Sequence, residues 1–159
     1  MNASFIDRRG FTLIELVAVL LLVGVLAVAV LPRLSGLGEL RIDAWREQAA
    51  AGLRLAAATA VGHRRLVCAS LSSSGELALE VAQAPDATAC GNPLTGPDGL
   101  AQVAQAVGNT VTATPAATLY FQPNGRVSQD AAGAQVSNFV ISASGMSDLL
   151  VYGQSGHVE

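Results

Sequence analysis

The stretch Phe11–Leu31, FTLIELVAVLLLVGVLAVAVL, holds one charge, Glu15, in 21 residues. As a helix it would span roughly 32 Å, the thickness of a bilayer's hydrocarbon core. Arg8 and Arg9 lie immediately before it. By the positive-inside rule they hold the N-terminus in the cytoplasm and send the rest of the chain outward. The remaining composition fits a single apolar segment joined to a soluble domain. Of 159 residues, 51% are hydrophobic and 13% charged, and the mean hydropathy is +0.44. That value is too high for a plain cytosolic domain and too low for a multi-span membrane protein. The nine basic residues are all arginine and are outnumbered by twelve acids, for a net charge of −3. This balance disfavours a nucleic-acid binder with a generally basic surface, and the hydrophobicity excludes a disordered chain.

Three ordinary readings of the apolar run compete. It can be a cleaved secretory signal, with Ala27-Val28-Ala29 as the A-x-A site. It can be a twin-arginine signal around Arg8-Arg9. It can also be a simple uncleaved anchor. None of them explains Glu15, because a carboxylate within a membrane segment costs roughly 2.5–3.5 kcal/mol even on mild insertion scales. Cleavage between Gly10 and Phe11 would supply a reason. Phe11 would then carry a new terminal amine one helical turn from Glu15, in the same chain or a neighbour. The carboxylate would also sit at the positive end of the helix dipole.

The segment Arg9-Gly10-Phe11-Thr12-Leu13-Ile14-Glu15-Leu16, followed by the apolar run and Pro32, resembles the class III signal of type IV prepilins and pseudopilins. The resemblance implies cleavage after Gly10 by a prepilin peptidase and N-methylation of Phe11 by the same enzyme. It implies that the helix is retained, first as an inner-membrane anchor and then in a filament core. Glu15 matches the glutamate associated with methylation and subunit registration. The implied organisation is a leader over 1–10, a transmembrane and filament-core helix over 11–32, an amphipathic second helical half over 33–65 and a periplasmic β-rich head over 66–159.

Beyond the run, Pro32 is expected to kink the helix. Gly36 and Gly38 leave open a loop that splits it in two; with no preceding strand and no third glycine they form no phosphate loop. From about Glu39 to Val61, Trp45, Ala49, Leu53, Ala56 and Ala60 recur at steps of three or four, the pattern of one buried stripe. Asp43 and Arg46 can pair on the opposite face. Gly62 is the expected C-terminal stop, with His63, Arg64 and Arg65 near the negative end of the dipole.

From Leu66 the grammar changes to short apolar runs between turn signals, predicting strands at Leu66–Leu71, Glu76–Gln83, Thr118–Gln122, Arg126–Gln129, Gln135–Ala143 and Leu149–Tyr152. Pro123-Asn124-Gly125 is a turn. The stretch from Pro85 to about Thr114 reads as an irregular loop. Helix first and antiparallel strands after it is an α+β layer pattern. Together with the resemblance it predicts a pilin-like fold, a long N-terminal helix packed on an antiparallel sheet. Charge divides as well: residues 33–65 carry six arginines against three acids, and residues 66–159 carry one against seven. Such a distribution can steer contacts between a basic stalk and an acidic head, or be merely a solvated surface.

Cys68 and Cys90 have neither a C-x-x-C nor a zinc spacing. The outward topology favours a disulfide over two buried thiols, fastening Pro85–Asn92 to the first strand for roughly 3 kcal/mol. The head also resembles the minor pseudopilin H group, which includes minor pilins of the mannose-sensitive haemagglutinin type. The residues that carry this are His63–Cys68, Ala89-Cys90-Gly91, Leu119–Gly125 and Val151–Val158, with His157 where arginine is common in that group.

No catalytic constellation stands out. His63 and His157 have no carboxylate or cysteine at metal spacing, and no G-x-S-x-G elbow occurs. His63 reads as a helix-end cation, His157 as an exposed strand-end residue, and Glu76 and Glu80 as a solvated face. No enzyme activity, metal or cofactor is expected. The resulting expectation is a structural pilin or pseudopilin subunit whose partners are prepilin peptidase, other such subunits and an inner-membrane assembly platform. Two alternatives remain: a DNA-capturing minor pilin, for which the head offers only Arg126 with Arg64 and Arg65 at its edge, and a secreted periplasmic binding module released at Ala29.

Overall fold

A computed structural model of the chain describes residues 12–34, 37–96, 99–105 and 107–159, with side chains of 27–39 excepted. The chain divides into two compact units, Met1–Gly38 and Glu39–Glu159. The first contains α1, Leu13–Leu34, which continues through Pro32 to Leu34. The helix α2, Leu37–His63, begins at the boundary and runs into the second unit. Gly38 thus lies within a helix, and Gly36 falls outside the described residues.

Helix α2 buries one face. Trp45, Ala49, Leu53, Ala56 and Ala60 are all buried, as their spacing predicts, and Ile42 and Ala50 extend the stripe. Small side chains let the strands approach closely. At Gly52 an added Cβ would come within 2.5 Å of a methyl of Val103, so the Val103 side chain occupies the space that any side chain at position 52 would need. The indole N–H of Trp45 donates to the Gly75 carbonyl at 2.7 Å, which satisfies the one polar atom of a residue that is otherwise buried apolar surface.

The helix ends one residue later than Gly62 predicts. Arg65 N–H reaches the Ala60 carbonyl at 3.2 Å and Arg64 N–H the Val61 carbonyl at 3.4 Å. These are the two bonds of a Schellman motif. Its left-handed position is filled by Arg64 at φ 52° and not by Gly62, which sits within the last helical turn. The expected Asp43–Arg46 pair is also replaced. Arg46 instead pairs with Glu47 at 3.0 Å and donates to the carbonyls of Ser147 and Asp148. Satisfying two loop carbonyls while packing its stem explains why this arginine turns away from Asp43.

The strands are β1 (Val67–Leu71), β2 (Leu77–Ala82), β3 (Cys90–Pro93), β4 (Gln102–Ala104), β5 (Val111–Thr114), β6 (Thr118–Phe121), β7 (Val127–Ser128), β8 (Phe139–Ala143) and β9 (Leu149–Val151). They form two antiparallel sheets where the sequence suggests one. The first has the order β3-β2-β1-β6-β7 with β4 also on β2, and the second β5-β8-β9. Inward residues alternate along β2, with Leu77 and Leu79 buried and Glu80 exposed. Side chains from both sheets and from α2 join in one core.

Residues 85–114 are not the irregular loop expected. They contain β3, β4 and β5, each only three or four residues long. These strands are specified by pairing to β2 and β8 rather than by their own alternation. Conversely, strand β8 begins at Phe139 rather than Gln135. The preceding residues make a single bridge, Val136 to Ser128, and Asn138 accepts a hydrogen bond from Gly153 N–H at 2.9 Å. The sheets meet here. Val127 N–H donates to the Gly153 carbonyl at 2.7 Å, and a Cβ on Gly153 would overlap the Ser137 backbone.

Candidate functional site

At the start of α1, Thr12 is the residue before the first helical position, and its hydroxyl accepts the Glu15 N–H at 3.3 Å. Thr12-Leu13-Ile14-Glu15 has the S/T-x-x-E form of a capping box, a signal overlooked when Glu15 is considered only for its charge. The cap explains why the helix starts here, but it uses Glu15's backbone. No described residue pairs with the carboxylate. Gly10 and Phe11, the expected cleavage and methylation positions, lie outside the described residues.

The first fourteen residues of α1 expose apolar side chains on every side. Leu13, Ile14, Leu16, Val17, Val19 and their successors to Leu26 are 45–81% exposed. A monomeric soluble domain rarely carries a contiguous patch of this kind, and a helix that is apolar all round belongs in a protein core or a membrane. Among the described residues no helix is long and apolar enough to cross a membrane. The span Phe11–Leu31 remains an expectation from the sequence.

In the second unit, Cys68 and Cys90 form a disulfide with Cα atoms 6.1 Å apart. It ties β3 to β1. Cys68, Leu66 and Ala82 make a small second cluster with Tyr120 and Cys90 against it. The last residues fold back on β9: Leu150 and Glu159 exchange backbone hydrogen bonds at 2.8 and 3.0 Å, Tyr152 N–H donates to the His157 carbonyl at 2.9 Å, and Val158 is buried. Arg54 on α2 donates to the Val158 carbonyl at 3.1 Å. His157 is exposed, as predicted. Its ring lies 6.0 Å from that of Tyr152, and its Nε2 is 4.0 Å from Glu159. The Tyr152 hydroxyl donates to Glu159 at 2.5 Å; this bond and the nearby negative charge raise the tyrosine's pKa.

Asp130 organises the turn after β7. Its carboxylate accepts the N–H of Gln135 at 2.6 Å and of Ala134 at 3.1 Å. These bonds, the one from Gln135 foremost, hold its pKa below the ordinary carboxylate value. Beside it the Gln122 amide donates to the Ser128 hydroxyl at 2.9 Å, and both residues are buried. This network is structural. Among the described residues no group of His, Cys, Asp or Glu is placed to hold a metal ion. Among the described residues, open cavities lie at both ends of the α2 segment 41–63. One, of about 200 Å³, lies beside Arg41, Trp45 and Gln48. The other, of about 230 Å³, is lined by Thr59, His63, Arg65, Val81 and Leu94.

The comparisons with known proteins bear on the segment that contains most of this helix. Residues 7–31 match the prokaryotic N-terminal methylation motif. The motif includes Gly10, Phe11 and Glu15 and ends with the apolar run, so it says nothing of the head. No curated protein matches the chain. Among solved structures, the chain is similar to the type IV minor pilin FimU of Pseudomonas aeruginosa. The identity is 21%, the TM-score 0.48, and the match covers 74% of this chain and 85% of that one.

Proposed function

We propose that this chain is a structural subunit of a type IV pilus or type II secretion pseudopilus. The precursor is held in the inner membrane by Phe11–Leu31, with its head in the periplasm. Prepilin peptidase cuts after Gly10 and methylates Phe11, and the subunit then enters a filament through its N-terminal helix. The methylation motif over residues 7–31 is the observation that carries this reading. The exposed apolar surface of α1 over residues 13–26 supports it, because that surface needs lipid before assembly and neighbouring helices after it. On leaving lipid, Glu15 would pair with the Phe11 amine of an adjacent subunit, which offsets the cost of carrying a carboxylate among apolar helices. The resemblance of the head to the minor pseudopilin H group favours a minor subunit. The test is the Glu15→Ala variant in cells. It should insert in the membrane at the normal level, while methylation or incorporation into filaments falls sharply. Normal methylation together with normal incorporation would remove Glu15 from the mechanism.

A further inference from the structure

Two surfaces at opposite ends of α2 are complementary in chemistry and cannot meet within one chain. At the C-terminal end, the cavity of about 230 Å³ has apolar walls from Val81 and Leu94, with His63 and Arg65 at its rim. Near the N-terminal end, Leu40, Asp43 and Glu47 recur at steps of three and four, so they share one face. All three are exposed, Leu40 at 65%. That face lies away from the buried stripe of Ile42, Trp45 and Ala49. It is an apolar side chain followed along the helix by two carboxylates, matched to an apolar recess with the Arg65 guanidinium and the His63 imidazole at its rim. The Arg46 contact to Glu47 leaves the Glu47 side chain 70% exposed, so its charge remains accessible. From Asp43 to His63 the helix rises roughly 30 Å.

We infer that the cavity at the end of α2 in one copy receives the Leu40/Asp43/Glu47 face of α2 in a second copy. Because the two surfaces are different and far apart, the contact is heterologous. It joins two copies head to tail instead of closing a symmetric dimer, with the second copy displaced along α2. This rests on the filament reading and adds to it where the heads touch.

The test uses the full chain in its native membrane, as two differently tagged forms co-expressed and treated with a short bismaleimide. One form carries Leu40→Cys and the other Thr59→Cys; the Cys68–Cys90 disulfide leaves no competing thiol. A parallel pair carries Leu16→Cys in both forms and reports α1 contacts. The expected result is a crosslinked product containing both tags that forms only when both head cysteines are present. Asp43→Arg should lower its yield about fivefold, and Arg65→Asp in the receiving copy should restore it. Crosslinking at Leu16 without any between Leu40 and Thr59 would overturn the head contact and leave the filament reading standing. A head crosslink that Asp43→Arg does not reduce would overturn the charge-matched contact. Loss of both crosslinks would overturn both readings, and a head crosslink without one at Leu16 would count against the filament reading alone.

Discussion

Single residues carry several of the costs and gains in this head. Arg64 occupies a left-handed backbone position that favours glycine, and such a conformation costs an L-residue roughly 1–2 kcal/mol. Two positions earlier, Gly62 lies in the helix with open space around its Cα. Arg64→Gly and Gly62→Ala should therefore each stabilise the protein, by about 1 kcal/mol, as read from urea denaturation midpoints. The sequence shows a glycine and a basic cluster at this point, but not which of them takes the left-handed angle. The two capping bonds decide that. Asp130 makes a pH-dependent prediction. Its carboxyl titrates lower when folded than when unfolded, because the Gln135 and Ala134 N–H groups bind the charged form. Its contribution is thus present above the unfolded carboxylate pKa and is lost as pH falls through the lower folded value. Asp130→Ala should lower the melting temperature at pH 7, and the gap from the wild type should shrink below about pH 4. A gap independent of pH would show that the charge is not the stabilising element.

At the scale of elements, legibility follows periodicity. The stripe on α2 was readable because five residues recur at helical spacing over many turns. Strands β1, β2, β6 and β9 were readable because apolar runs are bounded by turn residues. Strands β3, β4 and β5 were not, since three or four residues show no period and their partners lie far away in sequence. The division into two sheets is equally invisible, because it depends on Gly153 passing close to the Ser137 backbone. Gly153→Ala should cost about 3 kcal/mol or more by overpacking this junction, measured by chemical denaturation. The disulfide from β1 to β3 closes a sequence separation of 22 residues. The Cys68→Ser/Cys90→Ser double variant should lose roughly 3 kcal/mol. A loss of less than 1 kcal/mol would mean that pairing to β2 alone fixes β3.

For the whole molecule, the proposed function rests on the N-terminal segment, residues 7–31. Its reading came from one anomaly, a carboxylate in an apolar run, together with the Gly10-Phe11 spacing that the methylation motif over residues 7–31 also spans. The head was not legible in this way, since its polar groups mostly satisfy the fold: Gln122, Ser128 and Asp130 bond to one another or to backbone. The account turns on what happens at Gly10. Intact mass and N-terminal sequencing of the mature protein from its native membrane read this out. The account predicts a chain that begins with N-methylated Phe11 and keeps its apolar helix. A chain beginning at Val30, cut after Ala29, would contradict it and take the role of Glu15 with it.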